Sequence, residues 1–282
     1  MQALTHWSLQ ARRSITGVLT DIDDTLTTQG AITRDALGAL YDLKAAGLPV
    51  IAVTGRSVGW SEPFAVDWPI DAIVAENGAV ALFLSKKDSQ SNQNGPRQLS
   101  KLYQQDDMTR IANQLAMRRV TQRVLHEVAG AVLAQDSAGR ETDMAIDHSE
   151  FAHLNQENIA QTVRIMRSEG MNASVSSIHI NGWFGSHNKL QGARWVVREL
   201  LQRNLDAEMA QWVFIGDSTN DELMFKAFPN SVGVANVRRF EAQLASLPRY
   251  VTHGERGAGF SEVARAILAA QTGREAFRSS RF

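Results

Sequence analysis

The sequence predicts an α/β protein in which a central parallel sheet is interrupted by a second, α+β module. Continuous apolar runs of strand length alternate with segments of helical periodicity, which is typical of parallel strands covered on both faces. The rhythm changes after Leu84 and resumes at Lys189, so the intervening residues are expected to form a module of their own. We therefore expect a Rossmann-like core formed by residues 1–84 and 187–282, with an α+β cap formed by residues 85–186.

The core elements follow from these patterns one by one. A helix is expected from Thr33 to Gly47, because Ala36, Leu37 and Leu40 share one helical face and Gly47 is a natural stop. A second helix is expected from Lys189 to Arg203. Buried strands are predicted at Ile15–Leu19, Val50–Val53, Ala72–Ala75, Trp212–Ile215 and Val232–Val234.

The cap elements are predicted by the same rules. Helices are expected from Met108 to Arg118 and from Asn155 to Ser168. Strand character is predicted at Val124–Val128, Ala131–Ala134, Met144–Ile146 and within Met171–Phe184.

Composition excludes several classes of function. The 282 residues contain no cysteine, which removes disulfides, thiolate catalysis and cysteine-based zinc sites. The formal net charge of −1 favours neither nucleic acid nor an acidic membrane surface. The first residues lack the apolar region of a secretory signal, and no run approaches the ~20 apolar residues of a membrane helix. We expect a cytoplasmic protein with a small-molecule substrate, no nucleic-acid or membrane partner, and an undetermined oligomeric state.

Polar residues follow the predicted parallel strands where each strand ends. Asp21 and Asp23 follow the first strand, Thr54 follows the second, and Asp217 and Asp221 follow the strand ending at Ile215. Ligands of open parallel sheets bind beyond the carboxyl ends of the strands, so these side chains are expected to meet. Carboxylate oxygens suit a hard cation, and magnesium is the obvious one.

The same set suits phosphoryl transfer. Thr54 offers a hydroxyl donor beside Gly55, and Lys189 offers a positive charge near the start of a helix. Phosphoryl transfer needs positioning and stabilisation of charge on the phosphate oxygens, which these groups supply. One carboxylate can act as the covalent nucleophile and another as the acid and base.

These residues resemble the four motifs of the haloacid dehalogenase-like phosphatases. Asp21-Ile22-Asp23-Asp24-Thr25 resembles the first motif, Val53-Thr54-Gly55-Arg56 the second, Lys189 the third, and Gly216-Asp217-Ser218-Thr219-Asn220-Asp221 the fourth. The order along the chain is that of the family, and the resemblance covers roughly residues 15–234. The placement of the cap between the second and third motifs, with Glu76-Asn77-Gly78-Ala79, resembles the subgroup of Cof-type, sucrose-, trehalose- and mannosyl-phosphoglycerate-phosphatase-like enzymes.

The resemblance implies a role for each residue. Asp21 would be the nucleophile and a magnesium ligand, and Asp23 the general acid and base, with its backbone carbonyl on the metal. Asp217 would be the third magnesium ligand, supported by Asp221 and Asn220. Thr54 and Lys189 would hold the phosphate, and the cap would select the leaving group. The implied activity is a magnesium-dependent phosphomonoester hydrolase that forms an aspartyl-phosphate on a sugar phosphate or phosphorylated glycoside.

Several residues keep two interpretations. Arg56 either reaches the substrate or pairs with a surface acid, and Asn77 either binds substrate or forms a turn. His179, Asn181 and Trp183 alternate along one strand, so they either line the substrate pocket or form an ordinary strand face.

The activity also keeps alternatives. A phosphosugar mutase could use the same scaffold, and so could a catalytically silent binding protein. A complete set of acids together with Thr54 and Lys189 argues against the silent form.

Overall fold

The computed structural model describes residues 1–86 and 97–279. The strands in chain order are β1 (Gln2–Ala3), β2 (Gly17–Thr20), β3 (Thr27–Thr28), β4 (Ala31–Ile32), β5 (Val50–Val53), β6 (Ala72–Ala75), β7 (Val80–Lys86), β8 (Arg97–Tyr103), β9 (Val132–Leu133), β10 (Asp143–Asp147), β11 (Asn172–Val175), β12 (His179–Trp183), β13 (Trp212–Gly216), β14 (Ser231–Gly233) and β15 (Tyr250–Val251). The helices are α1 (Leu9–Arg13), α2 (Arg34–Ala45), α3 (Val58–Asp67), α4 (Asp107–Glu127), α5 (Gln156–Ser168), α6 (Lys189–Leu201), α7 (Leu205–Glu208), α8 (Glu222–Ala227) and α9 (Arg256–Ser279).

The chain divides into two compact units. The first comprises Met1–Val53, Trp68–Ala72 and Ala193–Phe282, and the second comprises Thr54–Asp67 and Ile73–Gly192. These units are compact bodies and not the predicted core and cap, whose boundaries stay a prediction.

The first unit is built on a parallel sheet. Its strands lie in the order β1-β15-β14-β13-β2-β5, and each neighbouring pair is parallel. The strands β2, β5 and β13 are buried along their whole length, as expected for a sheet covered on both faces. Helix α2 buries Ala36, Leu40 and Leu43 and packs against α9. The α/β prediction is confirmed, and β5 and β6 have the predicted bounds.

The second unit contains two antiparallel arrangements. Strands β6, β7 and β8 form an antiparallel ladder, and β11-β12-β10-β9 form a four-stranded antiparallel sheet. Helices α4 and α5 cover one face of the latter, where their apolar residues meet Met144, Ile146 and Ile180. The opposite face of the same strands therefore presents the alternate residues.

Among the differences of this unit from the sequence prediction, two concern its helices. The predicted strand at Val124–Val128 is wrong, because the residues up to Glu127 continue α4. Val124 completes a buried helical series with Met117 and Val120, and this burial outweighs the β propensity of valine. Helix α3 was not predicted, since Pro63 lies inside it.

In the described parts of the chain, no helix is both long and apolar enough to cross a membrane.

Candidate active site

The first acidic segment of the first unit leaves the sheet at the end of β2. Asp21 follows Thr20 directly, and its N–H donates to the Ile215 carbonyl of β13 (2.8 Å). The Asp21 side chain is buried, whereas Asp23 is half-buried. Asp24 has a left-handed backbone (φ 54°) and pairs with Arg256 (2.8 Å). The chain therefore turns sharply here, with Asp21 fixed between two parallel strands.

The second acidic segment follows β13 and is fixed by its own side chains. One oxygen of Asp221 accepts the N–H groups of Asp217 (3.0 Å) and Ser218 (3.2 Å). Ser218 and Asp221 form a reciprocal capping box, and the Ser218 hydroxyl also donates to Asn220 (3.0 Å). Asp221 is fully buried, so this arrangement holds the Asp217 backbone in one position.

One residue that the sequence interpretation missed links the two acidic segments. The Asn236 amide donates to the carboxylate of Asp217 (3.0 Å) and to the backbone carbonyl of Asp24 (3.0 Å). Its own carbonyl accepts the Arg256 N–H (2.9 Å). Asn236 lies more than 200 residues from Asp24 in sequence, so only the folded chain identifies it.

The carboxylates of the two segments meet in the first unit. One oxygen each of Asp21, Asp217 and Asp221 lie within 4.8 Å of one another, and all three residues are buried. Close carboxylates repel unless a proton or a cation compensates, and an all-oxygen set suits a hard divalent cation. The donor set therefore fits magnesium. Asp21 and Asp217 come together as predicted, and the ligand role of the Asp23 carbonyl stays a prediction.

Thr54 begins the second unit and is held by β6 and by the turn that follows β6. Its N–H donates to the Val74 carbonyl (2.9 Å), and its carbonyl accepts the Asn77 N–H (2.9 Å). Its hydroxyl oxygen accepts the Arg56 N–H (3.0 Å). The hydroxyl proton takes no part in this hydrogen bond. Thr54 is fully buried.

The turn at residues 76–78 sets the start of α6, which carries Lys189. Gly78 has φ 110°, and a Cβ at Gly192 would lie 2.5 Å from the Gly78 Cα. Only glycine at both positions permits this approach of turn and helix. Asn188 accepts the Gln191 N–H (3.0 Å) and caps the helix, while Lys189 is buried.

Glu76 is a second residue that the sequence interpretation did not single out for a role. It is fully buried, and its carboxylate accepts N–H groups from Val58 (3.0 Å), Glu141 (2.9 Å) and Thr142 (2.5 Å) and the Thr142 hydroxyl (2.5 Å). These bonds tie the first turn of α3 to the segment that precedes β10. The signal available in the sequence was only an acid in a predicted turn, which does not reveal its partners.

Arg56 pairs with an acid. Its guanidinium donates to both carboxylate oxygens of Glu150 (3.1 and 2.6 Å), and it lies 4.7 Å from the Trp60 ring centre. His179 contacts the same carboxylate through Nε2 (2.9 Å). Burial raises the pKa of Glu150, but the hydrogen bonds from His179 and Arg56 outweigh it and lower that pKa to about 2.

Asn77 and Asn181 converge on one buried carboxylate. Both amides donate to Asp143 (3.3 and 3.2 Å), whose other oxygen accepts from Arg140 (2.6 Å). Asn181 and Arg140 both also donate to the Gly55 carbonyl (3.1 Å each). Burial raises the pKa of Asp143 to about 8, against the opposing charge of Arg140. This network holds the Gly55 backbone next to Thr54.

The predicted alternation of the β12 side chains is confirmed, and one of these side chains, Trp183, is engaged by a neighbouring residue. His179, Asn181 and Trp183 lie on the sheet face opposite Ile180 and the helices. The Trp183 indole donates to the His187 carbonyl (2.9 Å), and its ring stacks on the His187 ring at 5.8 Å. Trp183 thus packs against a neighbouring residue, and its stacking on a sugar stays a prediction.

The fold and the acidic cluster agree with the comparisons to known proteins. The model of the haloacid dehalogenase-like hydrolases matches residues 18–247. No curated protein matches the sequence. The chain belongs to the haloacid dehalogenase-like hydrolase family. This confirms the predicted family and the prediction that the protein is a hydrolase.

Solved structures of low sequence identity share the fold. A HAD/COF-like hydrolase from Plasmodium vivax is 15% identical, with a TM-score of 0.64 over 93% of this chain and 99% of that one. The sucrose-phosphatase of Synechocystis sp., solved with sucrose and phosphate, is 14% identical, with a TM-score of 0.61 over 91% and 98%. A trehalose-6-phosphate phosphatase related protein is 15% identical, with a TM-score of 0.58 over 92% and 99%. These likenesses agree with the predicted subgroup at the level of the fold.

Proposed function

We propose that the protein is a magnesium-dependent phosphomonoester hydrolase that forms an aspartyl-phosphate, with a sugar phosphate or phosphorylated glycoside as substrate. The observation that carries the proposal is the buried cluster of Asp21, Asp217 and Asp221 beyond the ends of two parallel strands. Membership of the hydrolase family and the fold shared with a sucrose-phosphatase support it. We also propose a cytoplasmic location, as the sequence analysis predicts.

Asp21, Asp217 and the Asp23 carbonyl would hold the cation. When bound, it would lower the repulsion between an anionic phosphate and an anionic nucleophile. Thr54 and Lys189 would donate to the phosphate oxygens through a hydroxyl and an ammonium group.

In the first step, an Asp21 oxygen attacks phosphorus and the bond from phosphorus to the ester oxygen breaks. Asp23 gives its proton to the departing alkoxide, so the leaving group departs as an alcohol. In the second step, Asp23 takes a proton from water, and the resulting hydroxide attacks phosphorus. The bond to Asp21 breaks, inorganic phosphate leaves, and both carboxyl groups return to their starting states.

The burial of Asp21 among carboxylates makes Asp21→Asn a clean test of the nucleophile. The amide removes a charge from an acidic cluster, so the fold should be retained, while turnover should fall by on the order of a thousandfold or more. Phosphate release is measured on a panel of sugar phosphates, phosphoglycosyl glycerates, nucleotides and small phosphoacids, with magnesium and with chelator.

The matched control is Asp67→Asn, which changes an exposed acid at the end of α3 and should leave turnover unchanged. Near wild-type turnover of Asp21→Asn would disprove the covalent mechanism. Release only in the presence of a bisphosphate would favour the mutase, and silence of the wild-type protein across the panel would favour a binding protein.

A further inference from the structure

A cleft without an assigned role lies within the second unit, between α4 and the segment that joins β9 to β10. Its volume is about 430 Å³, which falls within the range of small-molecule sites. The α4 wall presents Gln114, Arg118 and Gln122, which follow one another about one turn apart on the same face of the helix. Of the described residues that line the cleft, none is a predicted phosphate or substrate contact. The cleft therefore shares no residue with the site of the proposed function.

Part of the cleft is apolar. Met117 and Met144 are buried and belong to the hydrophobic cluster under α4. The Met144 sulfur accepts the Thr121 hydroxyl (3.2 Å), which fixes one side of this wall. Leu133 lines the opposite side and is 41% exposed. Methionine sulfur makes favourable contacts with aromatic rings, so this part of the cleft suits a flat aromatic body.

One positive charge in the cleft is not compensated by an acid. Arg118 is exposed, and no acid in the described parts of the chain pairs with it. The two acids of the lining are already engaged. Glu141 accepts the Lys101 ammonium group (2.8 Å), and Asp143 accepts the Arg140 guanidinium (2.6 Å). A bound anion would therefore meet the guanidinium of Arg118, which is suited to carboxylate and phosphate groups.

Other polar groups of the lining have hydrogen-bonding capacity to spare. The Ser137 hydroxyl is buried and has no hydrogen-bond partner among the residues that the structure describes. Buried hydroxyls normally have a partner, so this group is incomplete. The Gln122 amide makes no hydrogen bond to any described residue, and Gln114 uses only its Nε2 group, which donates to the Glu141 carbonyl (2.9 Å). The amides leave donors and acceptors for the polar edge of a ligand.

We infer that this cleft is a second binding site, specific for a small organic anion with an aromatic body. Arg118 pairs with the anionic group, and the aromatic body lies against Met117, Met144 and Leu133. All of these residues belong to one compact unit, so the site is complete within it. The inference does not depend on the proposed function, and it requires neither magnesium nor the acidic cluster of the first unit.

The test uses three probes that separate the charge from the aromatic body. Indole-3-acetate carries both, indole-3-acetamide lacks the charge, and acetate lacks the ring. Binding to the full chain is measured from the backbone amide chemical shifts in NMR titrations, with magnesium and with chelator. Indole-3-acetate should bind with a Kd of about 1 mM or tighter, and the other two probes about fivefold or more weakly. The shift changes should centre on residues 114–122 and 133–144, and the Kd should be the same with chelator.

Two substitutions at exposed positions test the two parts of the site, each with a neighbouring control that does not line the cleft. Arg118→Gln should weaken indole-3-acetate about fivefold or more and leave indole-3-acetamide unchanged, whereas Arg119→Gln should change neither. Leu133→Asp places a charge on the apolar wall and should weaken both indole probes about fivefold or more. Val132→Asp, at the adjacent exposed position of β9, should not.

Four results would each overturn the inference. They are the absence of saturable indole-3-acetate binding to the wild type, equal affinity for indole-3-acetate and indole-3-acetamide, shift changes that centre outside the cleft, and an unchanged Kd in Arg118→Gln. The substituted side chains are exposed, so each variant is expected to fold, and its amide spectrum shows directly whether it has. Should Arg118→Gln not fold, Leu133→Asp against Val132→Asp decides, and equal affinity of that pair overturns the site.

Discussion

At the scale of the residue, Asp221 positions a neighbouring residue of the site through the hydrogen bonds of its carboxylate. One of its oxygens accepts two backbone N–H groups, including that of Asp217, while another member of the same cluster, Asp21, is fixed by β13. Asp221 was predicted as a supporting residue, and its hydrogen bonds explain how it would support Asp217. Residues that orient a metal ligand commonly change affinity when they are altered.

Asp221→Ala should therefore weaken magnesium binding by about 10–100-fold, because the Asp217 backbone loses its acceptor. Asp221→Asn should lose less, since an amide oxygen can still accept both N–H groups. Magnesium affinity is measured by calorimetry and by the magnesium dependence of phosphate release. The neighbouring substitution Glu222→Gln serves as the control, and equal affinity of Asp221→Ala and the wild type would contradict the positioning role.

At the scale of the element, the turn at residues 76–78 organises the second unit. Glu76, Asn77 and Gly78 have positive φ values of 49°, 56° and 110°, which is costly for the first two residues. The hydrogen bonds of the Glu76 carboxylate to α3 and to the segment before β10 offset that cost. The turn therefore keeps its conformation because the elements around it are bonded to one buried side chain.

Glu76→Gln should lower the free energy of unfolding by about 2–4 kcal/mol, because the amide NH₂ group would face N–H groups that need an acceptor. Urea unfolding followed by circular dichroism measures the loss. Glu62→Gln on α3 removes a partly exposed pair with Lys101 and should cost less than about 1 kcal/mol. A loss for Glu76→Gln no larger than that of Glu62→Gln would show that the carboxylate does not hold the turn.

At the scale of the whole molecule, the buried His187 makes the stability of the protein depend on pH. Burial lowers the pKa of His187 to about 4, and the residue is 4% exposed beside Trp183. The unfolded chain takes up a proton near pH 6.5, whereas the folded chain does so only near pH 4. Stability from this residue is thus present above pH 6.5 and is lost as the pH falls through that window.

The wild-type protein should lose about 3 kcal/mol through His187 between pH 7 and pH 4, which is the pKa difference converted at 1.36 kcal/mol per unit. His187→Gln should remove this part of the acid sensitivity. Urea unfolding at pH 7 and at pH 4 gives the comparison, with His153→Gln at an exposed position as the control. Parallel pH dependence of the wild type and His187→Gln would exclude a neutral buried histidine.

The sequence by itself determined the α/β class, the bounds of β5 and β6, and the meeting of Asp21 with Asp217. These features follow from local signals. A buried parallel strand appears in the sequence as a continuous apolar run. Ligands bind beyond the carboxyl end of such a strand, so the residues that follow it are the candidates for the site.

Only the tertiary structure decided the partner of Arg56, the acceptors and donors around Asp143, and the roles of Glu76 and Asn236. It also decided that Val124 belongs to a helix, because burial against β10 and β12 outweighs local preference. Several of those contacts join residues far apart in sequence, such as Asn77 with Asp143 (66 positions), Arg56 with Glu150 (94) and Asn236 with Asp24 (212). The energy of a buried charge depends on the partners that the fold brings to it. A local sequence pattern does not identify such partners, because these side chains come into contact only when the chain folds.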